Sequence, residues 1–114
     1  MTLIYKICEQ TAWREAESAG AYAGSAVDRR DGFIHFSTAA QLAETAAKHF
    51  AGQADLMLVA VDGDRLKTTL RWEPSRGGEL FPHLYAPLSL DAVAWAQPLP
   101  DERDGRRLLP ELDP

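Results

Sequence analysis

The sequence is short of cysteine, of long apolar runs and of basic charge, and each shortage excludes a class of protein. Cys8 is its one cysteine, so an intrachain disulfide is excluded and a cytoplasmic location is expected. Because its neighbours are the apolar residues of a predicted strand, Cys8 is expected to be a buried, inert thiol, with a catalytic thiol as the alternative. No apolar run approaches the roughly 20 residues that cross a bilayer, so no membrane association is expected. The 17 acidic residues outnumber the 12 basic ones, which argues against binding to a nucleic-acid polymer. The histidines at 35, 49 and 83 lack the spacing of metal ligands, so no metal site is predicted.

Length and composition are those of one globular domain followed by a tail. With 114 residues, 46% of them hydrophobic and 25% charged, the chain suits one hydrophobic core. We expect residues 1–99 to form a single globular domain and residues 100–114 to form a charged C-terminal tail. Leu108, Leu109 and Leu112 are candidates for docking the tail back onto the domain.

The order of predicted elements favours a mixed α+β fold. Periodicity and capping residues predict two helices in the N-terminal half, over residues 11–19 and from a Thr38 cap to about Phe50. Because strands dominate the later part of the chain, a mixed sheet is expected instead of a doubly wound parallel one. Residues 21–31 are predicted to be a mobile surface loop. The predicted strands are residues 3–8, 33–36, 56–61, 67–73, 80–85 and 90–96.

Three expectations concern the placement of strands and side chains. Residues 56–61 are apolar throughout, which predicts a central strand covered on both faces. Pro82 and Pro87 lack backbone donors, so their region is expected to avoid a central position in a sheet. Val93 and Trp95 are two residues apart and are therefore expected on one face of the last strand.

The junction of a strand and a helix at residues 31–41 is the first candidate site. Unpaired N–H groups at a helix start favour an anion, and His35, Ser37 and Thr38 add a titratable ring and two hydroxyls beside them. A structural role remains an alternative, since a strand-end histidine can simply bond a nearby carbonyl, and Ser37 and Thr38 are more often caps than catalysts.

A second candidate site lies at residues 76–85. Its two glycines let the backbone approach a ligand closely, and Glu79, His83 and Tyr85 place polar groups in an otherwise apolar segment. The alternative is a hairpin turn at the glycines, with His83 and Tyr85 as packing residues.

Two segments, residues 32–38 and residues 78–88, together with Arg71-Trp72-Glu73 between them, carry a family resemblance. They resemble domain-of-unknown-function family 952, a set of small bacterial and plant proteins, and the similarity covers nearly the whole chain before the tail. That family is grouped by fold with the ADP-ribosyltransferases. The resemblance therefore implies an ADP-ribosylation-like fold, in which a split, mainly antiparallel sheet forms a cleft for a nicotinamide dinucleotide. It implies no established activity.

The wider resemblance to NAD-using ADP-ribosyltransferases implies roles for single residues. In those enzymes a strand that precedes a helix lines the nicotinamide pocket, and residues 32–38 look like this element. Ser37 and Thr38 follow His35, which stands where an aromatic residue often sits. Glu79 is similar in placement to the late glutamate of those enzymes, so the resemblance implies that Glu79 stabilises the charge that develops as the glycosidic bond breaks.

The resemblance also implies how NAD, the possible cofactor, would bind. The first strand of those enzymes carries a His or Arg that grips the dinucleotide, and Lys6 or Arg30 could replace it here. Arg30 or Arg76 would pair with pyrophosphate, while His35 and Tyr85 would flank the nicotinamide ring.

Three classes of function remain open on the sequence. The first is a transferase-like protein that binds NAD or an ADP-ribose-like nucleotide, with His35 and Glu79 as catalytic residues. The second is a non-catalytic module that holds a small ligand in the same cleft, with His83 among its binding residues. The third is a protein-binding module that uses an aromatic surface at residues 72–85. The sequence leaves the oligomeric state open.

Overall fold

The computed structural model describes residues 1–113, apart from the side chain of Arg76. Turns and short 3₁₀ segments join the helices and strands of this part of the chain. The helices are α1 (Gln10–Ala19), α2 (Ala26–Asp31) and α3 (Ala39–His49). The strands are β1 (Leu3–Glu9), β2 (Ala21–Tyr22), β3 (Ile34–His35), β4 (Leu56–Asp62), β5 (Leu70–Pro74), β6 (Leu80–Leu84), β7 (Leu88–Ser89) and β8 (Val93–Pro98).

The first three-stranded sheet has β4 at its centre. β4 pairs antiparallel with β1 on one side and with β8 on the other. On one face, Leu58 packs in a cluster with Leu42 of α3; on the other, Val59 packs in a cluster with Trp13 of α1. Both faces of β4 are therefore covered, which confirms the prediction of a central buried strand.

The second three-stranded sheet has the order β3, β6, β5 and is also antiparallel. Its central strand contains Pro82, so the expectation that the prolines exclude this region from a central position is wrong. The N–H of Phe36 donates to the carbonyl of Pro82 at 3.0 Å. Since the N–H and C=O of a strand residue point the same way, the missing donor of Pro82 lies on the β3 side, where β3 has already ended at His35. Pro87 lies between β6 and β7.

Side-chain alternation gives the second sheet one apolar and one polar face. Ile34 of β3 pairs with Leu84 of β6, and both side chains are buried in the hydrophobic core. One position along, His35 pairs with His83, and His83 pairs in turn with Arg71 of β5. Because successive strand residues face opposite sides, the two imidazoles share one face.

The two sheets are joined where β1 passes the chain that follows β3. Tyr5 and Ser37 exchange two backbone hydrogen bonds, each 2.8 Å long. The short strands β2 and β7 form a separate antiparallel pair. This arrangement leaves a cleft beside the joint, bordered by α1 and α2.

Residues 21–31 contain a helix, so the prediction of a mobile surface loop for them is wrong. Ser25 begins α2 through a capping box: its hydroxyl accepts from the N–H of Asp28, and the Asp28 carboxylate accepts from the N–H of Ser25. Gly32 ends the helix in the left-handed conformation, with φ of 86°, which glycine adopts without steric cost. The sequence Ser25-Ala26-Val27-Asp28 carries this capping pattern.

The other two helices agree with the sequence pattern. Gly20 ends α1 with φ of 84°, and Trp13 of α1 is almost completely buried. A capping box between Thr38 and Gln41 begins α3. The structure thus confirms a mixed α and β protein with antiparallel sheets, and it adds α2 to the two helices predicted. No helix in the described part of the chain has the length and hydropathy to cross a membrane.

A β-bulge in β8 changes the side-chain pattern of the last strand. Val93 pairs with Val61 and Trp95 pairs with Ala60, so Ala94 is an extra residue between the two pairs. Val93 consequently packs in the cluster with α1, whereas Trp95 packs in the cluster with α3. The expectation that these two side chains share one face is wrong, because the extra residue at the bulge puts the Trp95 side chain on the opposite face of the sheet from Val93.

The C-terminal segment packs against the first sheet. The guanidinium of Arg107 donates to the carbonyls of Phe50 at 3.0 Å and Gln53 at 2.9 Å. Leu109 and Leu112 pack on the cluster that contains α3, whereas Leu108 is 74% exposed. Both backbone and apolar contacts therefore hold this segment on the domain.

Candidate functional site

One cleft of about 920 Å³ lies at the junction of the two sheets. Its lining comes from β1, α1, α2, β3, α3 and β6, which are far apart in sequence. The chemically active side chains on its wall include Lys6, Asp28, His35, Ser37 and His83. The cleft therefore gathers polar groups that no single sequence segment contains.

Asp28 is the most heavily hydrogen-bonded carboxylate of the cleft. Its side chain is 2% exposed and faces the ammonium group of Lys6, with Nζ at 3.0 Å from Oδ1 and 2.9 Å from Oδ2. The backbone N–H of Ser25 donates to Oδ2 at 2.8 Å, and that of His35 donates to Oδ1 at 3.1 Å. A Cβ on Gly24 would come within 2.8 Å of the Asp28 Cβ, so this glycine is needed for close packing.

His35 lies between two carboxylates. Its Nδ1 is 2.6 Å from Oδ1 of Asp28, and its Nε2 is 3.0 Å from Oδ2 of Asp31. Ionised carboxylates accept hydrogen bonds, so each ring nitrogen of His35 faces an acceptor. Asp28 is buried, whereas Asp31 lies at the exposed end of α2, so the two sides of the ring differ in access to solvent.

His83 is held by a third carboxylate, that of Glu73. Its Nδ1 donates to Oε1 of Glu73 at 2.8 Å, and the hydroxyl of Tyr85 donates to the same oxygen at 2.7 Å. The His83 side chain is buried, and that of Glu73 is about one-third exposed, at 34%. Arg71 lies over the Tyr85 ring, with its guanidinium carbon 5.0 Å from the ring centre.

Phe33 packs against all three neighbouring rings of this face. Its ring is stacked on His83 at a centroid distance of 4.1 Å, and it lies 4.6 Å from His35 and 5.2 Å from Tyr85. The His35 and His83 rings meet edge to face at 5.6 Å. The aromatic contacts therefore fix the two imidazoles relative to each other.

The pKa shifts at this site favour ionised carboxylates. Burial by itself raises the pKa of Asp28, but hydrogen bonds from His35, Lys6 and Ser25 outweigh it and hold this pKa well below its usual range. The hydrogen bonds from Tyr85 and then His83 lower the pKa of Glu73. Each histidine thus has an anionic partner at neutral pH.

Cys8 lines the cleft with a thiol of low reactivity. Burial raises its pKa to about 11, and the nearby charge of Lys6 only partly offsets this effect. Because the thiolate is the nucleophilic form, the expectation of an inert buried cysteine is confirmed. Among the residues that the structure describes, no group of three or more His, Cys, Asp or Glu side chains has an arrangement that could hold a metal ion.

The structure brings together part of the residue set predicted from sequence. His35, Ser37 and His83 line the cleft, and Tyr85 touches the same ring cluster through Phe33. Ser37 is buried, and its hydroxyl shares a 2.8 Å hydrogen bond with Thr45. Thr38 also has a structural partner, because its hydroxyl accepts the N–H of Gln41 at the start of α3.

Two other predicted residues, Glu79 and Arg30, lie apart from the imidazole pair, and the side chain of a third, Arg76, is not described. Glu79 is exposed in the turn between β5 and β6 and does not line the cleft. Glu79 lies four positions before His83, which corresponds to about 13 Å along an extended chain. Arg30 lies at the exposed rim of the cleft, where its Nε donates to Asp31 at 3.0 Å. The side chain of Arg76 is outside the described part of the structure.

The residues predicted to form an aromatic partner surface divide between two environments. Trp72 is 42% exposed and Leu80 is 52% exposed, and both lie on the hairpin of β5 and β6. Tyr85 is also exposed, at 40%, although its hydroxyl is bound to Glu73. Residues 81–84 are buried, so the exposed surface is smaller than residues 72–85 as a whole.

Sequence reasoning missed Asp28, Asp31 and Glu73 as partners of the histidines. The capping pattern from Ser25 to Asp28 was a usable signal for the first, because it places a carboxylate just before the strand that carries His35. Glu73 depends on the register of β5 and β6, which the sequence does not specify.

Comparisons with known proteins agree on the family of this chain. Residues 7–96 match the family described as protein of unknown function (DUF952). The X-ray crystal structure of protein CC0527 from Caulobacter crescentus is 50% identical, with 94% of each chain covered and a TM-score of 0.90. The solution NMR structure of CC0527 is 51% identical, with 92% of this chain and 90% of that chain covered and a TM-score of 0.81. No curated protein matches the sequence. The chain therefore belongs to the DUF952 family.

Proposed function

We propose that this protein binds a small nucleotide of the NAD or ADP-ribose type in the cleft between its sheets, with His35 and His83 as the groups that contact the ligand. The observation that carries the proposal is the imidazole pair: both rings line one cleft, 5.6 Å apart, and each Nδ1 is held by a carboxylate. Clefts with a few convergent polar groups are the usual form of small-molecule sites.

The fold arrangement supports the same ligand class. Two antiparallel three-stranded sheets meet at Tyr5 and Ser37 with a cleft beside the joint, as the resemblance to ADP-ribosyltransferases implies. Lys6 is the cation on the first strand, and it lines the cleft while it pairs with Asp28. Arg30 at the rim offers a second cation for a pyrophosphate group.

The chemistry of the imidazoles fits proton transfer as well as binding. An imidazole whose Nδ1 is fixed by a carboxylate has a defined orientation. In His83 this leaves Nε2 to exchange a hydrogen bond or a proton with a ligand, whereas a ligand must displace Asp31 to reach Nε2 of His35. Phe33 and the surrounding strands hold both rings in place before any ligand arrives. A ligand that reaches both rings would be held between two such groups.

Titration calorimetry with ADP-ribose, NAD and nicotinamide tests the proposal. We expect saturable binding of ADP-ribose by the wild-type protein and at least tenfold weaker binding by His35→Ala and by His83→Ala, about the effect of one lost hydrogen bond. Gln97→Ala, at an exposed position on β8, is the control and should bind as the wild type does. Failure of the wild-type protein to bind any of the three compounds would contradict the proposal.

A turnover assay separates an enzyme from a binding module. If NAD binds and is cleaved, release of nicotinamide will be detected by chromatography, and Glu79→Gln tests the role that the resemblance implies for that carboxylate. If NAD or ADP-ribose binds and stays intact, the cleft functions as a non-catalytic module.

A further inference from the structure

Two glutamates of one hairpin are candidates for the carboxylate of the cleft. The resemblance points to Glu79, which the structure places in the exposed turn between β5 and β6. Glu73 lies on β5 and contacts a histidine of the cleft directly. The pair offers a matched comparison, because the residue type is the same and only the position differs.

The register of β5 and β6 puts Glu73 next to His83. Glu73 pairs with Phe81 and Arg71 pairs with His83, so Glu73 and His83 are diagonal neighbours on one face of the sheet. Such diagonal positions are within reach of long side chains. The observed distance of 2.8 Å between Glu73 Oε1 and His83 Nδ1 shows that the contact is made.

The surroundings of Glu73 keep its carboxylate in this position. The hydroxyl of Tyr85 donates to the same Oε1 at 2.7 Å, and the Tyr85 ring packs against Phe33, which stacks on His83. These four side chains therefore form a closed set of contacts around one imidazole. Loss of the Glu73 charge would leave His83 stacked but with a weaker acceptor for its Nδ1 proton.

We propose that Glu73 is the positioning residue of the cleft: it accepts the Nδ1 proton of His83, so that His83 Nε2 accepts a hydrogen bond from a hydroxyl of the bound nucleotide. The inference rests on the proposed function, since it names the group of the ligand that the cleft recognises. It makes Glu73, which touches His83, the functional carboxylate of the hairpin in place of Glu79.

The proton position explains the choice of ligand group. A neutral imidazole with a proton on Nδ1 can only accept at Nε2, and an acceptor pairs with a donor. A nucleotide carries its donors as ribose hydroxyls and as N–H groups of the base. The ribose hydroxyls of ADP-ribose provide such a donor, whereas the phosphate oxygens do not.

Binding of ADP-ribose to matched variants tests the inference. We expect Glu73→Gln to weaken binding about tenfold, the order of one hydrogen bond, and Glu79→Gln to leave binding unchanged. Glu73→Asp retains the charge on a shorter side chain and should restore part of the lost affinity. Thermal unfolding of all three variants checks that each one is folded.

A spectroscopic measurement on the unliganded protein distinguishes positioning from general structural support. Long-range ¹H–¹⁵N correlation spectra of the histidine rings should show His83 with its proton on Nδ1 in the wild type and in Glu79→Gln. In Glu73→Gln the population should shift toward the form with the proton on Nε2.

The possible results separate the two proposals. Wild-type binding together with equal affinities of Glu73→Gln and the wild type, or an unchanged His83 tautomer, would overturn the role of Glu73 alone. Weaker binding by Glu79→Gln than by Glu73→Gln would overturn it in favour of Glu79. Absence of wild-type binding would overturn the proposed function and this inference with it.

Discussion

The two three-stranded sheets have similar strand patterns and different tasks. In the first sheet, β4 is buried from Leu56 to Val61 and packs between two apolar clusters. In the second sheet, one face joins the core through Ile34 and Leu84, while the other carries the imidazoles of His35 and His83. The first sheet therefore stabilises the fold through its buried apolar residues. The second sheet is buried on one face only, and its other face carries the two histidines of the cleft.

The buried Lys6 connects the two regions. It lies on β1 of the first sheet, on the same face as Cys8, and its ammonium group reaches Asp28 of α2. Asp28 in turn holds His35 of the second sheet. Withdrawing an ion pair from water costs desolvation energy. Because Asp28 contacts both Lys6 of the core strand and His35 of the cleft, the pair fits a role in positioning the His35 ring.

The largest expected effect comes from breaking this connection. Asp28→Ala leaves the Lys6 ammonium group buried without its partner, so we expect a loss of about 3–5 kcal/mol in the free energy of unfolding. Denaturant unfolding followed by fluorescence measures it.

A double-mutant cycle checks the cause of that loss. Lys6→Met combined with Asp28→Asn should cost less than the sum of the two single changes, because the double variant contains no unpaired buried charge. Strict additivity would show that the ion pair does not explain the effect.

The next effect compares a buried leucine of the first sheet with an exposed leucine of the second. Leu58→Ala in the fully buried β4 should cost about 2–5 kcal/mol, because it removes buried methyl groups and leaves a cavity. Leu80→Ala in β6, where the side chain is 52% exposed, should change stability by about 0.5 kcal/mol or less. Equal losses of stability in urea unfolding would contradict the difference in burial between these two positions.

The smallest effect is a dependence of stability on pH. The folded-state pKa of Asp28 lies below its ordinary value of 3.8, so the stabilising contribution of Asp28 is complete above that value and is lost as the pH falls below it. One proton changes the free energy of unfolding by at most about 1.4 kcal/mol per pH unit. Unfolding measured between pH 5 and pH 2 should show a smaller slope for Asp28→Asn than for the wild type, and identical slopes would argue against the shift.

Local patterns predicted the elements whose signals are contained in short segments. The apolar run of β4, the glycine that ends α1 and the Thr38 and Gln41 capping box were all visible in the sequence. The predictions failed where a neighbouring strand decides the outcome. Pro82 is acceptable in a central strand because β3 ends beside it, and the bulge at Ala94 separates Val93 from Trp95.

The candidate site was predictable in its histidines and not in their partners. The sequence predicted His35 and His83 as site residues because they interrupt apolar strands near a helix start and a glycine turn. Their carboxylates come from α2 and β5, at separations that depend on helix formation in residues 26–31 and on strand register. The resemblance pointed to Glu79 through its placement along the chain, and Glu73 was missed because placement along the chain is a poor measure of distance across a hairpin.

By itself, the sequence determined the mixed α+β composition, the buried β4 strand, the capped α3 helix and the inert thiol of Cys8. These features follow from periodicity, capping chemistry and local apolar surroundings, which act over a few residues. Only the tertiary structure decided that Lys6, Asp28, His35, His83 and Glu73 belong to one connected group. The reason is physical: hydrogen bonds and ion pairs between distant segments depend on register and on the packing of whole elements, which no short stretch of sequence contains.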